Sequence, residues 1–146
     1  MKKISILMIC IATIVFVGCS STSGASSTSA ARKSGVTCGT ALVSLYNNYK
    51  ASGTIDMNNG VNLANMLAVV AGYKQLKNNK SDASYRSDFA KGMVSVGSGL
   101  ITTANVNTLV DKLCSATGLS DVNASTISQK AEEAKSIISI LQMLKQ

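Results

Sequence analysis

The sequence predicts an all-α protein, a compact bundle of about five helices in up-down order, preceded by a cleaved signal helix and a flexible tether. Three observations carry that prediction. From Val36 onward apolar residues recur every three or four positions, the period of one helix face. Glycine, asparagine and serine interrupt the pattern at intervals, where a chain turns or caps. No segment alternates apolar and polar residues strictly enough for a strand.

The first helix runs from Val36, with Cys38, Ala41, Leu42, Leu45, Tyr46 and Tyr49 on its apolar face. Gly53 supplies the left-handed residue that ends it. Asn58 or Asn59 caps the second helix, whose stripe is Leu63, Met66, Leu67, Val70 and Tyr73, with Val69 and Leu76 at its flanks. Asn78, Asn79 and Lys80 close it. Ser81 or Asp82 opens the third, with Tyr85, Phe89, Met93, Val96 and Leu100 in line. Gly92, Gly97 and Gly99 weaken it, since a helical glycine costs about 1 kcal/mol against alanine, and fraying is expected after Val96. Asn105 caps a fourth helix carrying Val106, Leu109, Val110, Leu113 and Cys114, and Gly118 stops it. Thr126 to Gln129 has capping-box spacing and opens a fifth, with Ile127, Ala131, Ala134, Ile138 and Leu141 aligned and Ile137, Ile140 and Leu144 beside them.

Ahead of these helices lies a different kind of sequence. Lys2 and Lys3 precede an apolar run from Ile4 to Val17, which is the layout of a secretory signal and too short to span a bilayer with ease. Phe16-Val17-Gly18-Cys19 resembles the bacterial lipobox, departing from its usual pattern at Phe16. That resemblance implies cleavage before Cys19, a diacylglyceryl group on its thiol and a further acyl chain, such as palmitate, on its amine. An ordinary signal peptide with an incidental cysteine is the alternative. Two or three chains make attachment effectively permanent, whereas one binds marginally. Ser20 stands where an acidic residue would, by resemblance to proteobacterial sorting rules, retain the protein at the inner membrane. The outer membrane, facing the periplasm, is the expected location. The resulting division is 1–18 signal peptide, 19–35 lipidated cysteine and Ser/Thr/Ala-rich tether, and 36–146 helical domain.

Composition excludes more than it suggests. The chain contains no His, Pro or Trp, so imidazole-dependent hydrolysis and ordinary zinc chemistry have no residues to use. No catalytic residue, metal or cofactor is expected. Without Lys2 and Lys3 the 14 basic residues fall to 12 against 7 acidic, a mature charge of about +5, scattered without the aromatic interleaving of nucleic-acid modules.

Of four cysteines, Cys10 leaves with the signal and Cys19 carries lipid, which leaves Cys38 and Cys114. In an exported chain an even pair reads as a disulfide, the alternative being two buried free thiols. Closing that loop of about 76 residues (38 to 114) contributes roughly 4.5 kcal/mol by chain-entropy accounting. With Cys38 in the first turn of the first helix and Cys114 near the last turn of the fourth, an up-down order brings the two ends together. The tether leaves from that same end.

Three further clusters have two readings each. Lys74, Lys77 and Lys80 could meet anionic headgroups, or merely complement a helix dipole. Asp56-Met57-Asn58-Asn59-Gly60 superficially follows a calcium loop, but its glycine comes one position early and Leu67 stands where the twelfth-position Glu belongs, so loop and cap duty is the simpler reading. Tyr46, Tyr49, Tyr73, Tyr85 and Phe89 could line a cavity for an apolar ligand, or could simply be core.

Cys38-Gly39-Thr40-Ala41-Leu42, Leu45-Tyr46-Asn47-Asn48-Tyr49-Lys50, Gly53-Thr54-Ile55-Asp56, Asn62-Leu63 and Leu76-Lys77 together resemble small helical lipoproteins of Bacteroidales. The likeness covers most of Val36 to Leu113. It implies location and fold, and carries no activity or functional residue with it. The expectation is an envelope lipoprotein with a binding or scaffolding role toward an unidentified envelope protein or ligand, and not an enzyme. The alternatives are a carrier of a small apolar ligand between the helices and a His-independent enzyme.

Overall fold

The computed structural model describes residues 29–123, 126 and 131–144, and among them it contains helices and no strand. Helix α1 spans Ala30–Ser52 and starts where Ser29 accepts the Arg32 N–H on its hydroxyl at 3.2 Å. It begins ahead of Val36, so Ala30 to Gly35 are helix rather than tether. Their small side chains were misleading, because Ala31 and Gly35 are buried by closeness of packing and not by apolar area. Gly53 ends the helix at φ 74°, its N–H on the Tyr49 carbonyl at 2.7 Å.

Helix α2 spans Gly60–Asn78, capped by Asn59, whose Oδ1 accepts from Val61 and Asn62. Helix α3 spans Ala83–Ser95, capped by Asp82, and gives way at Val96 to the glycine-rich connection. Asn105 precedes α4, Val106–Ser115, but does not cap it. Its side chain instead accepts from the Thr102 N–H at 2.9 Å and donates to the Leu100 carbonyl at 2.8 Å, tying the connection together. A single 3-10 turn follows at Leu119–Asp121, then α5 at Ala131–Met143. Of the expected box from Thr126 to Gln129, only Thr126 falls among the described residues. It pairs reciprocally with Asn123, each backbone N–H on the other's side-chain oxygen at 3.1 Å, and Gln129 lies outside the described residues.

The helices run up and down in turn, with α1 at the centre. Asn48 meets Asn62 and Cys38 meets Gly72, so α2 is antiparallel to α1. Ser29 meets Asp88 and Gly39 meets Met93, so α3 runs parallel to it. Arg86 pairs with Asp111, which sets α4 antiparallel to α3, and α5 closes on α4 and α1. The most extensive packing is that of α1 on α3 and α2.

Close approach of α1 and α3 depends on missing side chains. A Cβ at Gly35 would stand 2.0 Å from the Phe89 carbonyl oxygen, and one at Gly92 would stand 2.2 Å from that of Arg32. Gly35 and Gly39, four apart on α1, lie on the face that receives α3. Reading Gly92 as a helix defect therefore captured only its local cost.

The core is continuous and joins all five helices. Leu42, Leu45, Met66, Tyr73, Leu76, Phe89, Met93, Leu109 and Leu113 are buried, each such side chain contributing about 1.5–3 kcal/mol. On α2 the buried stripe is turned from the expected one. Met66, Val70 and Tyr73 of the expected stripe face inward together with Asn62, Val69 and Leu76, while Leu63 and Leu67 are half-buried. Asn62 belongs there because its polar atoms are satisfied, accepting from Asn48 at 2.7 Å and donating to the Asp56 carbonyl at 3.0 Å.

Candidate functional site

The signal peptide 1–18, Cys19 and the tether up to residue 28 lie outside the described residues. The expected disulfide is not formed, and Cys38 and Cys114 are free thiols. Because α1 starts at Ala30, Cys38 sits about two and a half turns into it rather than in its first turn. Cys114 lies at the far end of α4, which packs on α2, α3 and α5 rather than extensively on α1. Cys38 is fully buried beside Gly72 and Phe89, and burial pushes its thiol up to about 12. Burial also raises Cys114, against a smaller lowering influence from Arg86. Neither thiol has the depressed pKa of a nucleophile.

The lysine ladder divides. Lys74 donates to the Val122 carbonyl at 3.0 Å. Lys77 donates to the Tyr73 hydroxyl at 2.8 Å and to Ser120 Oγ at 2.9 Å. These two ammonium groups clamp the 3-10 turn to α2, and Lys80 stands exposed beyond the helix end. The Asp56 loop is spent on turn and cap geometry, its carboxylate accepting the Asn58 N–H at 2.9 Å. Tyr73 and Phe89 are 0% exposed and belong to the core, whereas Tyr46 and Tyr49 line a cleft of about 440 Å³ with Lys50, Gly53, Leu141 and Gln142.

The site that the fold does create lies between α3 and α4, and sequence reasoning missed it. The outer face of α3 carries Ala83, Ser87, Ala90 and Val94, spaced four, three and four. These short side chains leave a groove of about 710 Å³ against Val106 and Val110 of α4. The small-residue spacing was the available signal. Nothing local tells which neighbour such a helix face will meet.

Charge gathers at this groove. Arg86 on α3 and Asp111 on α4 form an ion pair across one end. Lys91 pairs with Asp88 at 3.1 Å, one helical turn along α3. Asp88 also accepts the Ser29 hydroxyl at 2.8 Å, and that hydrogen bond, followed by Lys91, holds its carboxyl below the ordinary value. Arg32 reaches the groove from α1 and is exposed, outside both ion pairs. Ser95, Thr103 and Asn107 mark the opposite end.

Up-down order also sorts charge between the ends of the molecule. The start of α1, the end of α2, the start of α3 and the end of α4 share one end, which holds Arg32, Lys33, Lys74, Lys77, Lys80, Arg86 and Lys112 against Asp82, Asp88 and Asp111. Among the described side chains, the other end carries Lys50 and Asp56.

No protein-family model, curated protein or solved structure matches this chain. Among the described residues no helix is long and apolar enough to cross a membrane, and no three His, Cys, Asp or Glu side chains gather as metal ligands would.

Proposed function

We propose that the chain is a lipid-anchored cell-envelope protein, held through acyl chains on Cys19 at the outer membrane and facing the periplasm, whose helical domain acts by binding and not by catalysis. The observation that carries this reading is the coincidence of two features at one end of the bundle. Helix α1 enters there, only eleven positions after Cys19 (19 to 30), and the basic side chains gather there. An anchor at Cys19 therefore brings the basic end toward an anionic surface, where each lysine or arginine contributes about 1 kcal/mol. The lipobox resemblance and the likeness to Bacteroidales lipoproteins support the same location. Two thiols held protonated by burial, in a chain without histidine, favour binding over catalysis.

Mass spectrometry of the native chain tests the anchor. An amino-terminal peptide beginning at acylated Cys19 is expected, and Cys19→Ser should release the protein from the membrane fraction. An unacylated Cys19, or cleavage elsewhere, overturns the proposal.

A further inference from the structure

We infer that the groove between α3 and α4 binds a single-chain amphiphile with one carboxylate head, of the fatty-acid kind. This deepens the binding role proposed above by naming its ligand, and it does not require the anchor itself. The groove volume of about 710 Å³ lies within the range of small-molecule sites, about 300–1,000 Å³. Its floor is apolar, formed by Ala90, Val94, Val106 and Val110. From Ala83 to Ser95 it runs alongside α3 for roughly 18 Å, the length scale of an extended acyl chain.

The charges select the head group. Arg32, Arg86 and Lys91 face two carboxylates, Asp88 and Asp111, which leaves an excess of one positive charge. A monoanion balances that excess, whereas a phosphomonoester dianion would overshoot it and a cation would be repelled. Arginine presents a planar fork that matches a carboxylate. Arg32 is outside both ion pairs and acts on Asp88 only at longer range, so it turns to the head at less cost than Arg86. Arg86 then turns partly from Asp111 toward the same carboxylate, and Asp111 acts as an internal competitor.

Titration calorimetry on the full chain carrying Cys19→Ser, so that its own acyl chains are absent, tests this with laurate as the probe. One laurate is expected to bind per chain, with dodecyltrimethylammonium and inorganic phosphate failing to bind. Arg32→Ala is expected to weaken laurate at least about tenfold, as loss of a charge-assisted hydrogen bond does. Asp111→Asn is expected to tighten it. Ser87→Phe, at an exposed position on the groove wall, is expected to block it while thermal unfolding stays unchanged. Absence of laurate binding, equal binding of the cationic amphiphile, or indifference to Arg32→Ala overturns the assignment. Failure here leaves Cys19 acylation intact and failure of acylation leaves laurate binding intact, so the two proposals fall separately.

Discussion

Gly92 of α3 faces the Arg32 carbonyl of α1 with no room for a methyl group, since a Cβ there would lie 2.2 Å from that oxygen. The obstacle is backbone, which cannot swing aside as a side chain would. Gly92→Ala should therefore reverse the usual sign of a glycine-to-alanine change inside a helix. Propensity alone favours alanine by about 1 kcal/mol, but overpacking costs about 1–3 kcal/mol, and here the second effect wins. Urea unfolding should show a lower midpoint for Gly92→Ala. Gly60 provides the control, because it opens α2 with nothing within 4 Å of its would-be Cβ. Gly60→Ala should raise the midpoint, reflecting a gain in stability of up to about 1 kcal/mol. The same direction of change at both positions would refute the close-packing account.

Asn62 is the polar residue that the core tolerates, and it does so through its bonds to Asn48 and the Asp56 carbonyl. Asn62→Ala should cost about 1–3 kcal/mol, because the Asn48 amide and the Asp56 carbonyl lose their partner together. A double-mutant cycle with Asn48→Ala should show the two losses to be non-additive. Additive losses would mean that the contact contributes nothing of its own.

Cys38 and Cys114 should be measurable as thiols. Alkylation of the unfolded protein without reductant should modify both, and reductant should leave the unfolding midpoint unchanged. A mass two daltons low before alkylation would instead reveal a bridge.

The buried thiol also predicts how stability varies with pH. Burial raises the folded pKa of Cys38 to about 12 from an ordinary 9.0, so above about 9 the unfolded chain loses a proton that the folded chain keeps. Its contribution is fully present below about 9 and is lost as pH rises toward about 12. Cys38→Ala should flatten this alkaline decline. An unchanged slope would place the decline elsewhere.

Ser29 serves two helices at once, capping α1 and donating to Asp88 on α3. Asp88 titrates below its ordinary 3.8, so its contribution is present above that value and fades as pH falls through the folded pKa. Ser29→Ala should move the Asp88 titration, followed by carbon-detected NMR, upward toward 3.8. No movement would mean that Lys91 and Arg32 set it without Ser29.

Local signals were sufficient for most helix limits, though not for the start of α1 at Ala30. Asn59 and Asp82 cap where their side chains can reach the next N–H groups, and Gly53 ends α1 because it tolerates positive φ. Apolar spacing likewise located the buried faces of α1 and α4, since a three-to-four period is a property of one helix by itself. Partner choice is not such a property. Gly35 and Gly92 are helix defects until α1 and α3 are placed together, and Asn62 is a polar intruder until Asn48 is opposite it. Cys38 and Cys114 look like a pair until the true start of α1 sets them at different heights.

The amino-acid order by itself determined the all-helical class, most helix limits and the absence of imidazole chemistry, because propensity, capping and composition act over a few neighbouring residues. Tertiary structure alone decided which thiols remain free, which lysines serve as clamps, and that Ala83, Ser87 and Ala90 open a groove beside Arg86 and Asp111. Those outcomes depend on distances between segments far apart in the chain, which arise only when the helices pack.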